Sequence, residues 1–169
     1  MSIKLGIFGL EEHFPYVESG IKQARELFDI VGIVDNYEWN RERRDALASE
    51  FETPVMNDWK QLTDAGAQLI ALCTINNEKV PVICECLKQG IHVVTDKPTV
   101  ATRADYEAVK AASASSPNTV LSTLFTLRAD GAHRRVMQMV ADGIVGEVAS
   151  FYALRSYPLR PGRRIWWLF

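Results

Sequence analysis

Asp96, Lys97 and Pro98 follow directly on an apolar run, in "TDKPTVAT". A lysine beside a carboxylate can orient or polarise a substrate hydroxyl, with its charge tuned by burial and by the neighbouring acid. Pro98 restricts the backbone of Lys97, and a cis bond there would aim the lysine sharply. Taken alone, the three residues favour a surface turn. A second group, "TINNEK" (Thr74 to Lys79), follows another apolar run and offers a hydroxyl and an amide from Thr74 and Asn76. The same residue types also suit a polar loop that caps a helix. The third group is "GIFGLEEHFPYV", Gly6 to Val17, a turn between an apolar run and an amphipathic one. In the fingerprint GxGxxG the glycines make a tight turn, admit a pyrophosphate and let helix pack on strand. Counting from Gly9 through Leu10, Glu11, Glu12, His13 and Phe14, only the first glycine is present.

The elements around these groups decide what they can be. Short apolar runs alternate with amphipathic stretches, which is the pattern of βαβ units around a parallel sheet. The predicted strands are 3–10, 29–35, a short one at "PVMND", 67–74, 91–96 and 119–125. Helices are predicted over 15–28, 39–51, 59–66, 78–90 and 103–114. Val17, Ile21, Ala24 and Phe28 share one face of the first helix, and Ala46, Leu47 and Phe51 one side of the second. The run 67–74 is too continuous to be half-exposed and is expected at the sheet centre. Gly90 should close the helix that precedes it.

In this arrangement all three groups fall at carboxyl ends of strands, where open α/β sheets bind ligands. Asp35, at the end of the second strand, is placed to accept hydrogen bonds from an adenosine ribose and to repel a 2′-phosphate; its alternative is a turn residue beside Asn36. Arg41, Arg43 and Arg44 stand against that reading, since they could reach such a phosphate. Glu11 and Glu12 stabilise a helix N-terminus without any ligand and would oppose a bound pyrophosphate if they faced it. His13 would offset part of that opposition as a donor.

A chain of 169 residues with 47% hydrophobic and 24% charged residues fits one main globular domain with an appendage, and its net charge of −2 gives no reason to expect nucleic acid. No apolar run approaches a membrane span, and the N-terminus enters a strand pattern at once, so a cytoplasmic protein is expected. Cys73, Cys84 and Cys86 are odd in number and sit in apolar or helical contexts, which predicts buried thiols rather than disulfides or a metal site. After Phe125 a helix over 129–148 and a strand over 147–157 are predicted. The apolar end Ile165 to Phe169 suggests that the chain is cut inside a second domain or docks on a partner.

The three groups in this order resemble the Gfo/Idh/MocA family of oxidoreductases. That family has a GxGxxG-like turn, a loop similar to "TPNxxH" after the fourth strand and an "EKP" motif after the fifth. The counterparts are Gly9 to Phe14, "TINNEK" and "DKP", and the stretch from Leu124 to Ser156 is similar to the family's passage into its second domain. The resemblance implies an α/β fold with a doubly wound parallel (Rossmann) sheet over residues 1–122. Residues 123–169 would begin a truncated α+β substrate and oligomerisation domain. It implies NAD(P)-dependent hydride transfer to or from a hydroxyl-bearing carbon of a sugar, inositol or similar polyol, in a homo-oligomer; Asp35 favours NAD, with NADP less favoured, and no nucleic acid, membrane or metal is expected. Lys97 would bind the reacting hydroxyl and Asp96 would help fix the lysine and the cofactor. Gly9, Leu10, Glu11, Glu12 and His13 would pass the pyrophosphate, Asp35 would hold the ribose, and Cys73, Thr74, Ile75 and Asn76 would line the cofactor groove.

The departures are two replaced glycines, Asp96 for glutamate and Lys79 for histidine. The family's second-domain histidine has no counterpart before Phe169, so this chain alone lacks that catalytic segment. The alternative reading is a degenerate member that keeps the fold for ligand sensing or assembly without redox turnover. A third is an interaction tail built on Arg155, Arg160, Arg163, Arg164, Trp166 and Trp167.

Overall fold

The computed structural model describes residues 2–154 and 156. They form two units that divide between Thr126 and Leu127. In the first unit β1 (Ile3–Phe8), β2 (Phe28–Val34), β3 (Val55–Met56), β4 (Leu69–Leu72), β5 (His92–Thr95) and β6 (Leu121–Thr123) make one sheet in the order β3-β2-β1-β4-β5-β6. Every pairing is parallel. Parallel neighbours need crossover connections, and helices supply them: α1 (Phe14–Gln23), α2 (Arg41–Glu50), α3 (Trp59–Asp64), α4 (Asn76–Lys88) and α5 (Arg103–Ser115).

Successive side chains of a strand point to opposite faces. Along β4, Ile70 and Leu72 join one core with Val82, Ile83 and Cys86 of α4 and Val109 of α5. Ala71 and the following Cys73 join the other, with Phe14 and Ile21 of α1 and Leu47 of α2. Both faces of the sheet are therefore covered, as the continuous run 67–74 predicts. Each fully buried Ile or Leu contributes about 1.5–3 kcal/mol, so these two layers are the main source of cohesion. Leu62 of α3 fits the space that Gly6 and Gly32 leave, since a Cβ on Gly6 would lie 3.1 Å from its Cβ and one on Gly32 3.0 Å from its Cδ2.

Several element limits differ from the sequence expectation. The first helix ends at Gln23; a single 3-10 turn, Arg25–Leu27, follows, and Phe28 opens β2 instead of closing the helix. Phe28 gains a place against the α1/α2 core in its extended conformation, and tertiary packing overrides helical periodicity there. On α2 the buried residues are Leu47 and Ala48, followed by Phe51, while Ala46 is exposed. The strands are shorter than their apolar runs, because Leu10, Cys73 and Asp96 remain buried beyond the last ladder bond. Gly90 follows α4 with φ 79°, the left-handed geometry of a helix-closing glycine. A capping box between Thr102 and Asp105 starts α5.

In the second unit α6 (Gly131–Ala141) is capped by Asp130, which accepts from the His133 amide at 2.8 Å. The strand predicted over 147–157 is not formed among the described residues. Its alternation is present, but a strand needs a neighbour for its N–H and C=O groups, and the described part of that unit contains no second strand. Arg155, residues 157–169 and with them the arginine- and tryptophan-rich end lie outside the described residues.

Candidate active site

The sheet order reverses between β1 and β4, and the loops that follow these strands flank the resulting crevice. Gly9 is what lets them meet. Its φ is +86°, and a Cβ there would lie 2.4 Å from the Cys73 carbonyl oxygen and 2.5 Å from the Thr74 nitrogen. Gly9 N–H donates to Val34 O, Glu11 N–H to Cys73 O and Cys73 N–H to Phe8 O, each at 2.8 Å. The first fingerprint glycine is thus required by backbone packing of β1 on β4, independently of any ligand.

Glu11 turns aside from this loop. Its Oε1 accepts from Trp39 Nε1 and Asn40 Nδ2, both at 2.7 Å. Glu12 is exposed, with φ 42°. Asp35 is fully buried, and its carboxylate accepts from the Leu10 amide at 2.8 Å, the Asn40 side chain at 2.9 Å and the Tyr37 amide at 3.0 Å. In this conformation it ties the β1 loop to the β2 loop and is closed to solvent. Tyr37 stacks on Trp39 with ring centroids 4.7 Å apart. Burial pushes the Tyr37 phenol up to about 12, the Thr74 hydroxyl acting in the opposite direction and Glu78 in the same one. The Thr74 hydroxyl donates to Glu78, and both lie beside the Tyr37 hydroxyl, so the residues after β4 and those after β2 converge on one side of the crevice. The three arginines are engaged: Arg41 with Glu38, Arg43 with Glu18, and Arg44 with Asp45 and the Asp35 carbonyl.

On the other side, the Lys97–Pro98 bond is cis and Lys97 is exposed. Asp96 is fully buried but does not pair with Lys97. Its partner is Lys79, 1% exposed, whose ammonium contacts Asp96 Oδ1 and donates to Asn76 Oδ1 at 3.0 Å and to the Pro98 carbonyl at 3.3 Å. Burial holds the Asp96 carboxyl above the usual carboxylate range, with the Lys79 contact and charge offsetting only part of that rise. His13 faces the same cluster. Burial first and the Lys97 charge second lower its imidazole, with Asp96 and Glu12 acting in the opposite direction. Its Nδ1 is buried without a hydrogen-bond partner. Cys73 is buried under the crevice, its thiol pushed up to about 12 by burial. Ile75 is the N-cap of α4, so Asn76 lies in its first turn rather than in a loop.

The structure therefore gathers Gly9 to His13, Cys73 to Asn76, Asp96 and Lys97 around one crevice, with Asp35 beneath its β2 side. Sequence reasoning assigned no role to Lys79 or to Tyr37, Trp39 and Asn40. A signal for Lys79 was present: it lies at the head of the buried stripe Lys79, Val82, Ile83, Cys86 and Leu87 of α4, where an apolar residue belongs. A separate groove of about 390 Å³ between α4 and α5, lined by Cys84, Lys88 and Ala108 among others, is remote from this cluster. Among the described residues no group of three or more His, Cys, Asp or Glu could hold a metal ion, and no helix is long and apolar enough to cross a membrane.

Comparison with known proteins agrees with this geometry. Residues 3–124 match the family model described as "Oxidoreductase family, NAD-binding Rossmann fold", that of Gfo/Idh/MocA. The chain belongs to the Gfo/Idh/MocA oxidoreductases. It is 32% identical over 115 residues to the uncharacterized oxidoreductase YdgJ of Escherichia coli K12, a match covering 62% of this chain and 33% of that one. It shares its fold with the scyllo-inositol dehydrogenase of Lactobacillus casei solved with bound NAD(H) and scyllo-inositol (TM-score 0.77, 20% identity, 87% of this chain and 43% of that one). The myo-inositol 2-dehydrogenase of Lactobacillus plantarum is equally similar in fold (TM-score 0.77, 15% identity, 88% and 43%). The chain thus spans about a third of its curated relative and about two fifths of these solved ones.

A dinucleotide fits this member of the family, on a reduced set of donors. Leu10, Glu11, Phe14 and Tyr16 spend their amides on the chain's own acceptors, and Pro15 has none. Neither glutamate is held across the loop, Gly9 admits the close loop approach, and the orphaned His13 Nδ1 is a buried polar atom suited to a ligand partner.

Proposed function

We propose that the protein is an NAD-linked oxidoreductase acting on a hydroxyl-bearing carbon of a sugar, inositol or similar polyol. The observation that carries the reading is the Asp96–Lys97–Pro98 turn at the carboxyl end of β5, beside the β1/β4 crevice and facing His13. The inositol dehydrogenases that share the fold support the substrate class. Gly9 to His13 border the pyrophosphate, Cys73, Thr74, Ile75 and Asn76 line the groove, and Asp35 holds the β2 side against the ribose. A bound nicotinamide supplies the hydride acceptor or donor. Lys97 donates a hydrogen bond to the oxygen of the reacting carbon and stabilises the negative charge that grows there, while Asp96, held in place, fixes the base of the turn. With the arginines of α2 already paired, NAD is preferred over NADP. Residues 123–169 begin a second domain for substrate binding and oligomerisation, and the protein acts as an oligomer through it. The test is hydride transfer from a panel of inositols and sugars to NAD⁺. Lys97→Ala should lower kcat by about 10²–10³-fold, as loss of a transition-state donor does. Equal turnover in the variant would refute the role of Lys97.

One observation favours the second reading, a member that binds ligand without turnover: the Asp35 carboxylate is closed to solvent and already accepts three hydrogen bonds. Absence of hydride transfer with any polyol, alongside measurable NADH binding, would establish it.

A further inference from the structure

Lys79 is a charged residue in a place built for an apolar one, and its ammonium touches three parts of the site. It forms an ion pair with the Asp96 carboxylate after β5, and it donates to the Asn76 side chain at the start of α4 and to the carbonyl of Pro98 inside the turn that carries Lys97. Both members of the ion pair are at most 1% exposed, so water cannot replace either partner. Lys97, next to Asp96 in sequence, is left exposed at the mouth of the crevice.

We propose that Lys79 is a positioning residue of this site, which acts as the counter-ion of Asp96 and locks the Lys97–Pro98 turn so that Lys97 is presented to the substrate hydroxyl. The proposal rests on the oxidoreductase reading above for its consequence in turnover, but its geometry stands without it. With Asp96 neutralised by Lys79, the Lys97 charge is available to the substrate rather than consumed by its neighbour.

Removing the Lys79 ammonium leaves a buried carboxylate without its cation. Desolvation then acts unopposed by that cation, and Asp96 holds its proton to higher pH. The other groups that face Asp96 are His13 from the β1–α1 loop and Cys73 just after β4, with Lys97 following it in the chain and Glu12 acting on His13. None of these replaces a buried ammonium. The experiment compares wild type with Lys79→Met, which keeps the unbranched length, and Lys79→Arg, which keeps the charge.

The first readout is the ¹³C-carboxyl NMR titration of Asp96 in the chain. Its midpoint should rise by at least about one pH unit in Lys79→Met and by less in Lys79→Arg, since a unit is the scale of a lost partner charge. The second is the pH profile of turnover in the protein. Lys79→Met should lose at least about tenfold in kcat near neutrality, where the turn is no longer held, and lose more as pH rises and the ionised Asp96 takes up Lys97, with the Kd for NADH changed less than about threefold. An unmoved Asp96 midpoint overturns the proposal, as does a kcat loss independent of pH and reversed by cooling alone, which is the mark of a merely structural role. Should Lys79→Met fail to fold, Lys79→Arg decides. A wild-type midpoint with kcat lowered by the altered donor geometry supports the proposal. Wild-type kcat and pH profile overturn it, because a guanidinium cannot reproduce the ammonium's ion pair with Asp96 together with its hydrogen bonds to Asn76 and Pro98. Failure of the oxidoreductase reading is separately visible, as wild-type protein that binds no NADH while the Asp96 midpoint still responds to Lys79→Met.

Discussion

Replacing Gly9 by alanine tests why this one fingerprint glycine is retained. Two costs follow from the structure. A φ of +86° lies in the left-handed half of backbone space, which disfavours an L side chain by about 1–2 kcal/mol. The new Cβ would also stand 2.4 Å from the Cys73 oxygen and 2.5 Å from the Cys73 carbon and the Thr74 nitrogen. These are backbone atoms, held by Cys73 N–H on Phe8 O and by Glu11 N–H on Cys73 O, so no side chain can swing away to make room. Separating the β1 loop from β4 adds roughly 1–3 kcal/mol, as overpacking does. The sum of about 2–5 kcal/mol is a large part of the roughly 5–15 kcal/mol that stabilises a domain. Urea unfolding followed by tryptophan fluorescence should show a midpoint lower by about 1 M or more, given a slope of about 1–3 kcal/mol/M. A variant within about 0.5 kcal/mol of wild type would refute the packing argument for Gly9.

Three further outcomes are expected. Glu11→Gln keeps an oxygen for Trp39 Nε1 and Asn40 Nδ2 and removes one negative charge beside the loop, so NADH should bind several-fold tighter at low salt, the gain shrinking as salt is added; weaker binding would mean that Glu11 contacts the cofactor itself. Brief alkylation followed by mass spectrometry should modify Cys84 before Cys73 and Cys86, because burial pushes those two thiols up to about 12 and covers them, whereas Cys84 is half-buried; early labelling of Cys73 would contradict the closed crevice floor. His13 has a folded pKa below 6.5, so the unfolded chain binds the proton first and stability should fall as pH drops from about 6.5 through the folded value; His13→Gln should remove that part of the slope, and an unchanged slope would place His13 in solvent.

Much of the architecture was legible because it depends on side-chain period and on runs of apolar residues. The continuous stretch Ala67 to Thr74 marked the central strand, and Gly90 marked a helix end. Limits set by tertiary packing were not legible. Phe28 fits a helical face by spacing, yet its burial as the first residue of β2 decided its conformation. The crevice was legible as a set of loops, since Gly9, Thr74 and Asp96 each follow an apolar run. Its internal wiring was not, because hydrogen-bond choice depends on distance in space: Asp96 chose Lys79, 17 residues earlier, over adjacent Lys97, and Asp35 chose the Leu10 amide, 25 residues away. Glu11 and Glu12, the residues most at odds with a phosphate loop in the sequence, are directed by Trp39 and Asn40 in one case and by exposure in the other.

The central claim is that this diverged loop still accepts a dinucleotide. Calorimetric titration of the protein with NADH, and in parallel with NADPH, measures it directly. The account predicts saturable binding of NADH with NADPH clearly weaker, and heats indistinguishable from dilution for both nucleotides would contradict it.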